Sequence, residues 1–123
     1  MRVLVTGSGG LIGSESVRFF LKKGKVCGID NNMRSKFFGS QGSVINVINR
    51  LSSLDNYTHM WIDITDRYAV EDAFKNISPD VVIHCAAQPS HDKAASIPIL
   101  DFDVNARGTI ILLEAFRNHC NKD

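Results

Sequence analysis

The length, composition and charge of the chain indicate one compact domain. Its 123 residues can bury roughly two-thirds of the surface of the unfolded chain, which is enough for one core. With 14 Lys and Arg against 13 Asp and Glu, the composition gives no electrostatic reason to expect nucleic acid or an anionic membrane as a partner. No segment approaches 18 consecutive apolar residues and no signal peptide is recognisable, so we expect a cytoplasmic protein with no membrane span.

The first predicted element is a buried parallel strand over residues 2–5, followed by a glycine-rich turn. Gly7, Gly10 and Gly13 stand three residues apart, where passage from strand to helix requires positive φ, close approach to a ligand and tight packing. A helix that begins here directs the unpaired N–H groups near Leu11 and Ile12 at whatever lies above the strand. The turn predicts a pyrophosphate site, although glycine-rich turns also occur without a ligand.

The second predicted strand, over residues 25–30, ends in the carboxylate of Asp30. Asp30 lies 17 positions after Gly13, near the spacing at which dinucleotide folds place an acid on the adenosine ribose. The carboxylate repels a 2′-phosphate, which favours NAD over NADP. Arg34 leaves NADP open, because an arginine just beyond the strand can pair with that phosphate.

Residues 31–56 have a less regular pattern, which we interpret as a loop followed by an amphipathic helix over residues 43–54. The region is longer than a minimal crossover, so we expect part of it to lie over the adenosine half of a cofactor or towards a substrate. Phe37 and Phe38 either stack on a base or pack against the protein, the second being the commoner use of such residues.

A third strand over residues 57–62, a helix over residues 67–77 and a fourth strand over residues 80–87 follow. Asp63 stands where an aspartate can cap the helix. The fourth strand is continuously apolar, as a strand covered on both faces should be, and we expect its His84 to be a hydrogen-bonded core residue rather than a base. Ala86 and Ala87 either let the backbone approach a cofactor closely or simply pack tightly.

Polar residues follow the fourth strand, in the crevice where doubly wound sheets bind ligands. Gln88, Ser90 and His91 are the candidates here. His91 stands beside Asp92, and the two form either an acid–base pair or, more commonly, a substrate contact or a loop-ordering group.

The last predicted helix, over residues 100–120, is apolar on two sides. One stripe contains Val104, Gly108, Ile111, Leu112 and Ala115, and a second contains Ala106, Ile110 and Leu113. A helix of this kind needs two partners, which are the sheet and either further chain or a second subunit.

The alternation of strands and helices with short connections predicts right-handed crossovers and a parallel sheet covered on both faces. We therefore expect an α/β fold, a Rossmann-like doubly wound sheet in the strand order three-two-one-four, which stops after the fourth strand–helix unit. The fourth strand is then an open edge. The three cysteines, Cys27, Cys85 and Cys120, lack metal-ligand spacing, so we expect free thiols and no metal site.

Five motifs in order carry a resemblance to a known family. They are the turn at residues 6–13, Asp30-Asn31, Asp63-Ile64, Ala86-Ala87, and residues 105–109 with Leu112-Leu113-Glu114-Ala115. In these the chain resembles the extended branch of the short-chain dehydrogenase/reductase superfamily, the nucleotide-sugar epimerases and dehydratases. Within that branch, residues 9–15, 30–34 and 86–92 look most like the CDP-paratose/CDP-tyvelose epimerases. Those enzymes use NAD to invert carbon 2 of a CDP-linked deoxyhexose.

The resemblance implies a set of cofactor-binding residues and a substrate side. Asp63 and Ile64 are expected to hold the adenine ring, and Asn105 either orders the active site or is a plain buried amide. Ser90 and His91 are expected on the substrate side. The whole cofactor set is Gly7, Gly10, Leu11, Ile12, Gly13, Asp30, Asn31, Asn32, Arg34, Asp63, Ile64, Ala86, Ala87, Gln88 and Asn105.

The catalytic pair of the family has no counterpart in this sequence. The family uses a tyrosine with a lysine four residues later, whereas Tyr57 and Tyr68 are followed at that spacing by Trp61 and Asp72. We expect residues 1–123 to be the NAD-binding N-terminal portion of a CDP-sugar epimerase, without the catalytic portion and without turnover. Fragments of a 4,6-dehydratase or carbon-4 epimerase, or a non-catalytic partner domain, remain alternatives. The resemblance also implies a homodimer through the last helix. The open edge of the fourth strand predicts association through that edge as the alternative.

Overall fold

A four-stranded parallel sheet forms the centre of the protein in a computed structural model, which describes residues 1–120. The strands are β1 (Arg2–Thr6), β2 (Lys25–Ile29), β3 (Tyr57–Met60) and β4 (Val81–His84), in the order β3-β2-β1-β4. The predicted α/β, Rossmann-like fold and the predicted strand order are confirmed. Because the order reverses direction at β1, a crevice opens at the carboxyl ends of β1 and β4.

Helices connect the strands. They are α1 (Leu11–Leu21), α2 (Arg34–Phe38), α3 (Ile45–Ser52), α4 (Arg67–Ile77), α5 (His91–Ala94), α6 (Pro98–Phe102) and α7 (Gly108–His119), with a 3₁₀ turn at Gly39–Gly42 and a π turn at Asp103–Arg107. The bounds of α4 are those predicted. Two segments expected to be loops contain the short helices α2 and α5, whose sequences are too short to show a helical period. The single last helix predicted over residues 100–120 is three helical segments, because the π turn interrupts it.

Each face of the sheet carries its own core, because side chains alternate along a strand. Val3 and Val5 of β1 pack with Val17 of α1 and Leu51 of α3 on one face. Leu4 lies on the other face, in the cluster that α4 and α7 complete. The sheet is therefore covered on both sides, as the alternating sequence pattern predicts.

The predicted inner stripe of the last helical run is confirmed. All five of its residues are buried: Val104, Gly108, Ile111, Leu112 and Ala115. The second stripe is exposed, with Ile110 and Leu113 at 58% and 62% of their full accessibility. Within residues 1–120, nothing covers this second apolar stripe.

β4 is less buried than its sequence predicts. Its residues Val81–Ile83 are only partly buried and His84 is exposed, because β4 pairs with β1 alone among the described strands. The expectations of a strand buried on both faces and of a core histidine were wrong. The expectation that β4 is an edge strand is confirmed within residues 1–120.

The three cysteines are free thiols, as their spacing predicts. Cys27 lies in β2, where burial raises the pKa of its thiol to about 12, so the thiol is neutral at physiological pH. In the part of the chain that the structure describes, no helix is both long and apolar enough to cross a membrane.

Candidate functional site

The glycine-rich turn after β1 is held in place by contacts that only glycine permits. Gly7 adopts a φ of +67°, and its N–H donates to the carbonyl of Ile29 at 2.7 Å. A Cβ on Gly7 would lie 2.8 Å from the amide nitrogen of Ala86, so this residue also brings the turn against the end of β4. A Cβ on Gly13 would lie 2.0 Å from the carbonyl oxygen of Gly7. Both glycines are therefore required for the packing of the turn itself.

The N-terminus of α1 is open. Gly10 is its N-cap, and no side chain makes a capping hydrogen bond there. The first turn contains no acidic residue, and Leu11 and Ile12 are both largely exposed. The unpaired N–H groups and the helix dipole therefore present a partial positive charge to the space above β1.

Asp30 stands beside this turn and is bonded to it. One carboxylate oxygen of Asp30 accepts the N–H of Gly9 at 2.9 Å, and the other accepts the N–H of Asn32 at 2.8 Å. A carboxylate has about four acceptor positions, so each oxygen keeps capacity for a further donor. Asp30 is thus fixed in orientation and still able to accept hydrogen bonds from a ligand.

These groups line a cleft of about 270 Å³ at the carboxyl ends of the strands. Twelve of the predicted site residues line it: Gly7, Gly10, Leu11, Ile12, Gly13, Asp30, Asn31, Arg34, Asp63, Ile64, Ala86 and Ala87. The lining residues that the sequence did not single out are Ile29, Met33, Val44, Ile62, Cys85, Pro89 and Val104. Most of these residues are next to a predicted site residue in the sequence. Including the sequence neighbours of each predicted residue would therefore have identified them.

Asn32 does not line the cleft but organises its wall. With a φ of +57°, Asn32 accepts the N–H of Val44 at 2.9 Å and donates to the Ser43 hydroxyl at 3.0 Å. These bonds fasten the N-terminal end of α3 to the loop after β2, which brings Val44 into the cleft. No sequence pattern joins these two segments in advance.

Asp63 and Asp66 have different roles at the start of α4: Asp63 lines the cleft and Asp66 caps the helix. Asp63 accepts the N–H and the hydroxyl of Thr65, at 2.9 and 2.7 Å, which forms a local turn at the cleft wall. Asp66 is the N-cap of α4 and accepts the N–H of Ala69 at 3.1 Å. The helix cap expected near this point therefore belongs to Asp66 rather than Asp63.

Gln88 and Asn105 lie outside the cleft lining and are bonded to each other. The Gln88 N–H donates to the side-chain oxygen of Asn105 at 2.9 Å. One oxygen of Asp101 accepts from the side-chain amides of both, each at 3.1 Å. Asn105 is exposed, so its alternative assignment as a buried amide was wrong. This trio ties the segment after β4 to the start of the last helical run.

Ser90 and His91 also lie outside the cleft lining. Ser90 is buried and caps α5, where its hydroxyl accepts the N–H of Lys93 at 3.3 Å. The His91 side chain is fully exposed, and its Nδ1 lies 3.8 Å from a carboxylate oxygen of Asp92. The structure thus gives Ser90 a capping role and places His91 at the surface.

Phe37 and Phe38 are not among the cleft residues either. The Arg34 guanidinium lies over the Phe38 ring at 5.0 Å, and the Lys93 ammonium over the Phe37 ring at 5.7 Å. Phe37 is half-buried and Phe38 is exposed, and neither ring belongs to the core clusters of the sheet. In residues 1–120, no group of three or more His, Cys, Asp or Glu side chains is arranged to hold a metal ion.

His84, at the end of β4, joins three elements through hydrogen bonds. Its Nδ1 lies 2.7 Å from the Thr6 hydroxyl and its Nε2 lies 3.0 Å from the Thr109 hydroxyl. The expectation of a hydrogen-bonded histidine is thus confirmed, although the residue is exposed. Desolvation of the ring between its partners lowers the pKa of His84.

The sequence matches the family described as GDP-mannose 4,6 dehydratase over residues 4–123. The chain belongs to this NAD-dependent epimerase/dehydratase family. It is 33% identical to a probable dTDP-glucose 4,6-dehydratase of Sinorhizobium fredii, over 97% of this chain and 32% of the relative. It is 32% identical to a CDP-paratose 2-epimerase of Salmonella typhi, over 98% of this chain and 35% of the relative.

Solved structures of epimerases have the same fold. The UDP-glucose 4-epimerase of Thermus thermophilus, in complex with NAD, matches with a TM-score of 0.76 and 37% identity, over 97% of this chain and 34% of that one. This epimerase/dehydratase chain thus spans about a third of the length of its relatives. The names of the relatives cover a 4,6-dehydratase, a 2-epimerase and a 4-epimerase. The comparisons therefore establish the family, but do not select the sugar position that is changed.

Replacing Gly13 and Gly10 separately should distinguish the two uses of glycine in this epimerase/dehydratase turn. Gly13→Ala should lower the free energy of unfolding by about 1–3 kcal/mol, since its Cβ meets the Gly7 carbonyl. Gly10→Ala should lower it by less than about 1 kcal/mol, because its Cβ approaches only that same oxygen, at 3.3 Å. Urea unfolding followed by circular dichroism measures both, and equal losses would contradict the assignment.

The lowered pKa of His84 predicts a pH dependence of stability. Below about pH 6.5 the unfolded chain binds a proton at this histidine that the folded chain resists, so the free energy of unfolding should fall as the pH decreases. His84→Gln should reduce this slope between pH 7 and pH 5 (roughly the range of histidine titration). His91→Gln is the matched control, since its side chain is fully exposed. A slope unchanged by His84→Gln would show that the prediction is wrong.

Proposed function

We propose that this chain is the NAD-binding, N-terminal portion of a nucleotide-sugar epimerase. The observation that carries the proposal is the open N-terminus of α1 directly beside Asp30, in one cleft. A dinucleotide needs a site for a doubly charged pyrophosphate and an acceptor for ribose hydroxyls, and these two groups supply both. NAD bound in the solved Thermus thermophilus UDP-glucose 4-epimerase supports the same cofactor for this chain.

The chemistry of the lining residues fits the separate parts of NAD. We assign the pyrophosphate to the first-turn N–H groups of α1, and the adenosine ribose to Asp30. For the adenine ring we assign Asp63 together with the apolar side chains of Ile62 and Ile64. The remaining assigned contacts are Asn31, Arg34, Ala86 and Ala87 in the cleft, with Asn32, Gln88 and Asn105 supporting its walls.

Asp30 also favours NAD over NADP. Its carboxylate is fixed by two backbone N–H groups, so it cannot turn away from an incoming 2′-phosphate without breaking them. Arg34 lines the same cleft and is the competing group, but its guanidinium lies over the Phe38 ring. We therefore give the greater weight to Asp30.

For the parent enzyme we propose inversion at carbon 2 of a CDP-deoxyhexose. Support comes from residues 86–92, which resemble the corresponding segment of CDP-paratose/CDP-tyvelose epimerases, and from the CDP-paratose 2-epimerase among the relatives. NAD supplies hydride acceptance and return in such a reaction. The dTDP-glucose 4,6-dehydratase and UDP-glucose 4-epimerase relatives keep a 4,6-dehydratase and a carbon-4 epimerase as second candidates.

The part played by residues 1–123 is binding and orientation of the cofactor, in a cytoplasmic enzyme. Neither tyrosine of this sequence has a lysine four residues later, so the proton transfers of the family have no matched group here. We assign Ser90 and His91, which follow β4, to the substrate side, where Ser90 caps α5 and His91 is exposed. No catalytic residue is assigned.

Calorimetric titration of the 123-residue chain with NAD, and separately with NADP, tests the cofactor proposal. NAD should bind more tightly than NADP. Asp30→Asn should weaken NAD binding by about tenfold or more, since a hydrogen bond to a charged group is lost. The same change should reduce the ratio of NAD affinity to NADP affinity. Asp55→Asn, at an exposed acid outside the cleft, is the matched control. Tighter binding of NADP, or no binding of either, would refute the proposal.

We also propose that the exposed stripe of α7 forms a homodimer contact, with the open edge of β4 as the alternative. Ile110 and Leu113 are exposed on one side of a helix whose other side packs on the sheet. An uncovered apolar stripe of this kind is typical of an interface.

Sedimentation at tens of micromolar tests the helix contact. The parent chain should associate, and Leu113→Glu should make it monomeric, because a charge cannot be buried unpaired in an apolar interface. Tyr68→Glu, on the exposed side of α4, is the control and should still associate. A monomeric parent chain would contradict association altogether, whereas an associated Leu113→Glu chain would point to the β4 edge.

A further inference from the structure

A series of hydrogen-bonded polar side chains connects the edge strand β3 to the glycine-rich turn, outside the lining of the cleft. The Tyr57 hydroxyl lies 3.3 Å from the Ser8 hydroxyl and 3.0 Å from Nδ1 of His59. Nε2 of His59 lies 3.2 Å from the backbone carbonyl oxygen of Asp30. Strand β3, the turn after β1 and the residue that follows β2 are thereby joined by hydrogen bonds.

A glycine in β2 provides the space that these hydrogen bonds need. Ser8 is fully buried and Tyr57 nearly so, and the Tyr57 hydroxyl reaches Ser8 by passing over Gly28 of β2. A Cβ on Gly28 would lie 2.1 Å from the Tyr57 hydroxyl oxygen and 2.6 Å from the Ser8 hydroxyl oxygen. Strand β2 therefore has a glycine at the one position where the tyrosine crosses it.

The protonation states suit a fixed hydrogen-bond arrangement. Burial raises the pKa of Tyr57 to about 12, so the hydroxyl keeps its proton. Burial also lowers the pKa of His59, so its ring is neutral at physiological pH. Since a carbonyl oxygen only accepts, Nε2 of His59 carries the ring proton, which leaves Nδ1 unprotonated beside the Tyr57 hydroxyl.

The two ends of this hydrogen-bonded series contact the glycine-rich turn and Asp30, the two parts of the cleft that the proposed NAD site requires. Ser8 adjoins Gly9, whose N–H donates to the Asp30 carboxylate, and His59 bonds the backbone of Asp30 itself. The distance between the turn and Asp30 is therefore fixed from behind by Tyr57 and His59. Neither of these two residues lines the cleft.

We propose that Tyr57 and His59 are positioning residues for dinucleotide binding, which act by fixing the glycine turn and Asp30 at the spacing that one ligand must span. The inference rests on the proposed NAD site. It adds two residues of an edge strand that do not line the cleft, and it makes the turn and Asp30 one coupled unit rather than two independent contacts.

Tyr57→Phe is the first test, with Tyr68→Phe as the matched control at an exposed tyrosine. Loss of the hydroxyl removes its hydrogen bonds to Ser8 and His59 and should weaken NAD binding by about tenfold or more, since each lost hydrogen bond is expected to cost about three- to tenfold. The control should bind NAD like the unsubstituted chain. Titrations are made at a temperature where circular dichroism shows every variant folded, so that a general loss of stability does not lower the measured affinity.

Ser8→Ala and the double variant Ser8→Ala/Tyr57→Phe complete a mutant cycle. Ser8→Ala breaks only the hydrogen bond between Ser8 and Tyr57, whereas Tyr57→Phe breaks that bond and the bond to His59, so the double variant should bind NAD about as well as Tyr57→Phe alone. Additive losses would overturn the proposal, since they would mean that the two hydroxyls act independently.

His59 offers a rescue test, which also serves if Tyr57→Phe does not fold. His59→Leu removes the donor to the Asp30 carbonyl and should weaken NAD, whereas His59→Gln keeps an amide donor of similar reach and should restore most of the affinity. Equal binding by His59→Leu and the parent chain, or equal losses in both His59 variants, would overturn the positioning role.

Hydrogen exchange of the Gly9 amide gives a readout that does not involve NAD. Its bond to Asp30 should protect it in the parent chain, and Tyr57→Phe should make it exchange faster than Tyr68→Phe does. If the unsubstituted 123-residue chain does not bind NAD, the proposed function and this inference are both refuted. Normal NAD binding and unchanged Gly9 protection in Tyr57→Phe refute the inference alone.

Discussion

The close packing of Gly13 against the carbonyl of Gly7 is the contact on which the rest of the site depends. With no Cβ between them, α1 begins directly above the end of β1, and its open N–H groups point into the crevice at the switch in strand order. The same turn packs against the amide of Ala86, which brings the exit of β4 to the opposite wall. Two close contacts made by glycines of one turn therefore set the positions of β1, α1 and the end of β4 around the cleft.

The cleft combines a few oriented polar groups with an apolar lining. Backbone N–H groups of α1 offer hydrogen-bond donors and the carboxylate of Asp30 offers acceptors, while Ile62, Ile64 and Val104 provide apolar surface. Most of the polar side chains near the cleft bond to backbone rather than into open space. Asn32 and Asp63 are examples, and they hold loops in place so that the few free acceptors and donors have defined positions.

Much of the fold could be predicted because its signals are local. Strands β1 and β4 follow from short apolar runs, and α4 follows from its helical period. The inner stripe of the last helical run follows from its helical spacing, and all of its residues are buried. What was missed has a physical reason in each case. Helices α2 and α5 have five and four residues, too few for a period, and the apolar sequence of β4 does not show that it has only one neighbour here.

The sequence by itself determined the strand–turn–helix unit and the carboxylate after β2, because these depend on glycine conformation and short-range spacing. Cleft residues such as Asp63 and Ile64 followed only from the resemblance to the family. Only the tertiary structure decided that Asn32 brings Val44 to the cleft, that Asn105 pairs with Gln88, and that Tyr57 crosses Gly28 to reach Ser8. Each of these contacts joins segments that are distant along the chain. Hydrogen bonds of that kind leave no periodic pattern, since they exist only once the sheet has brought the strands side by side.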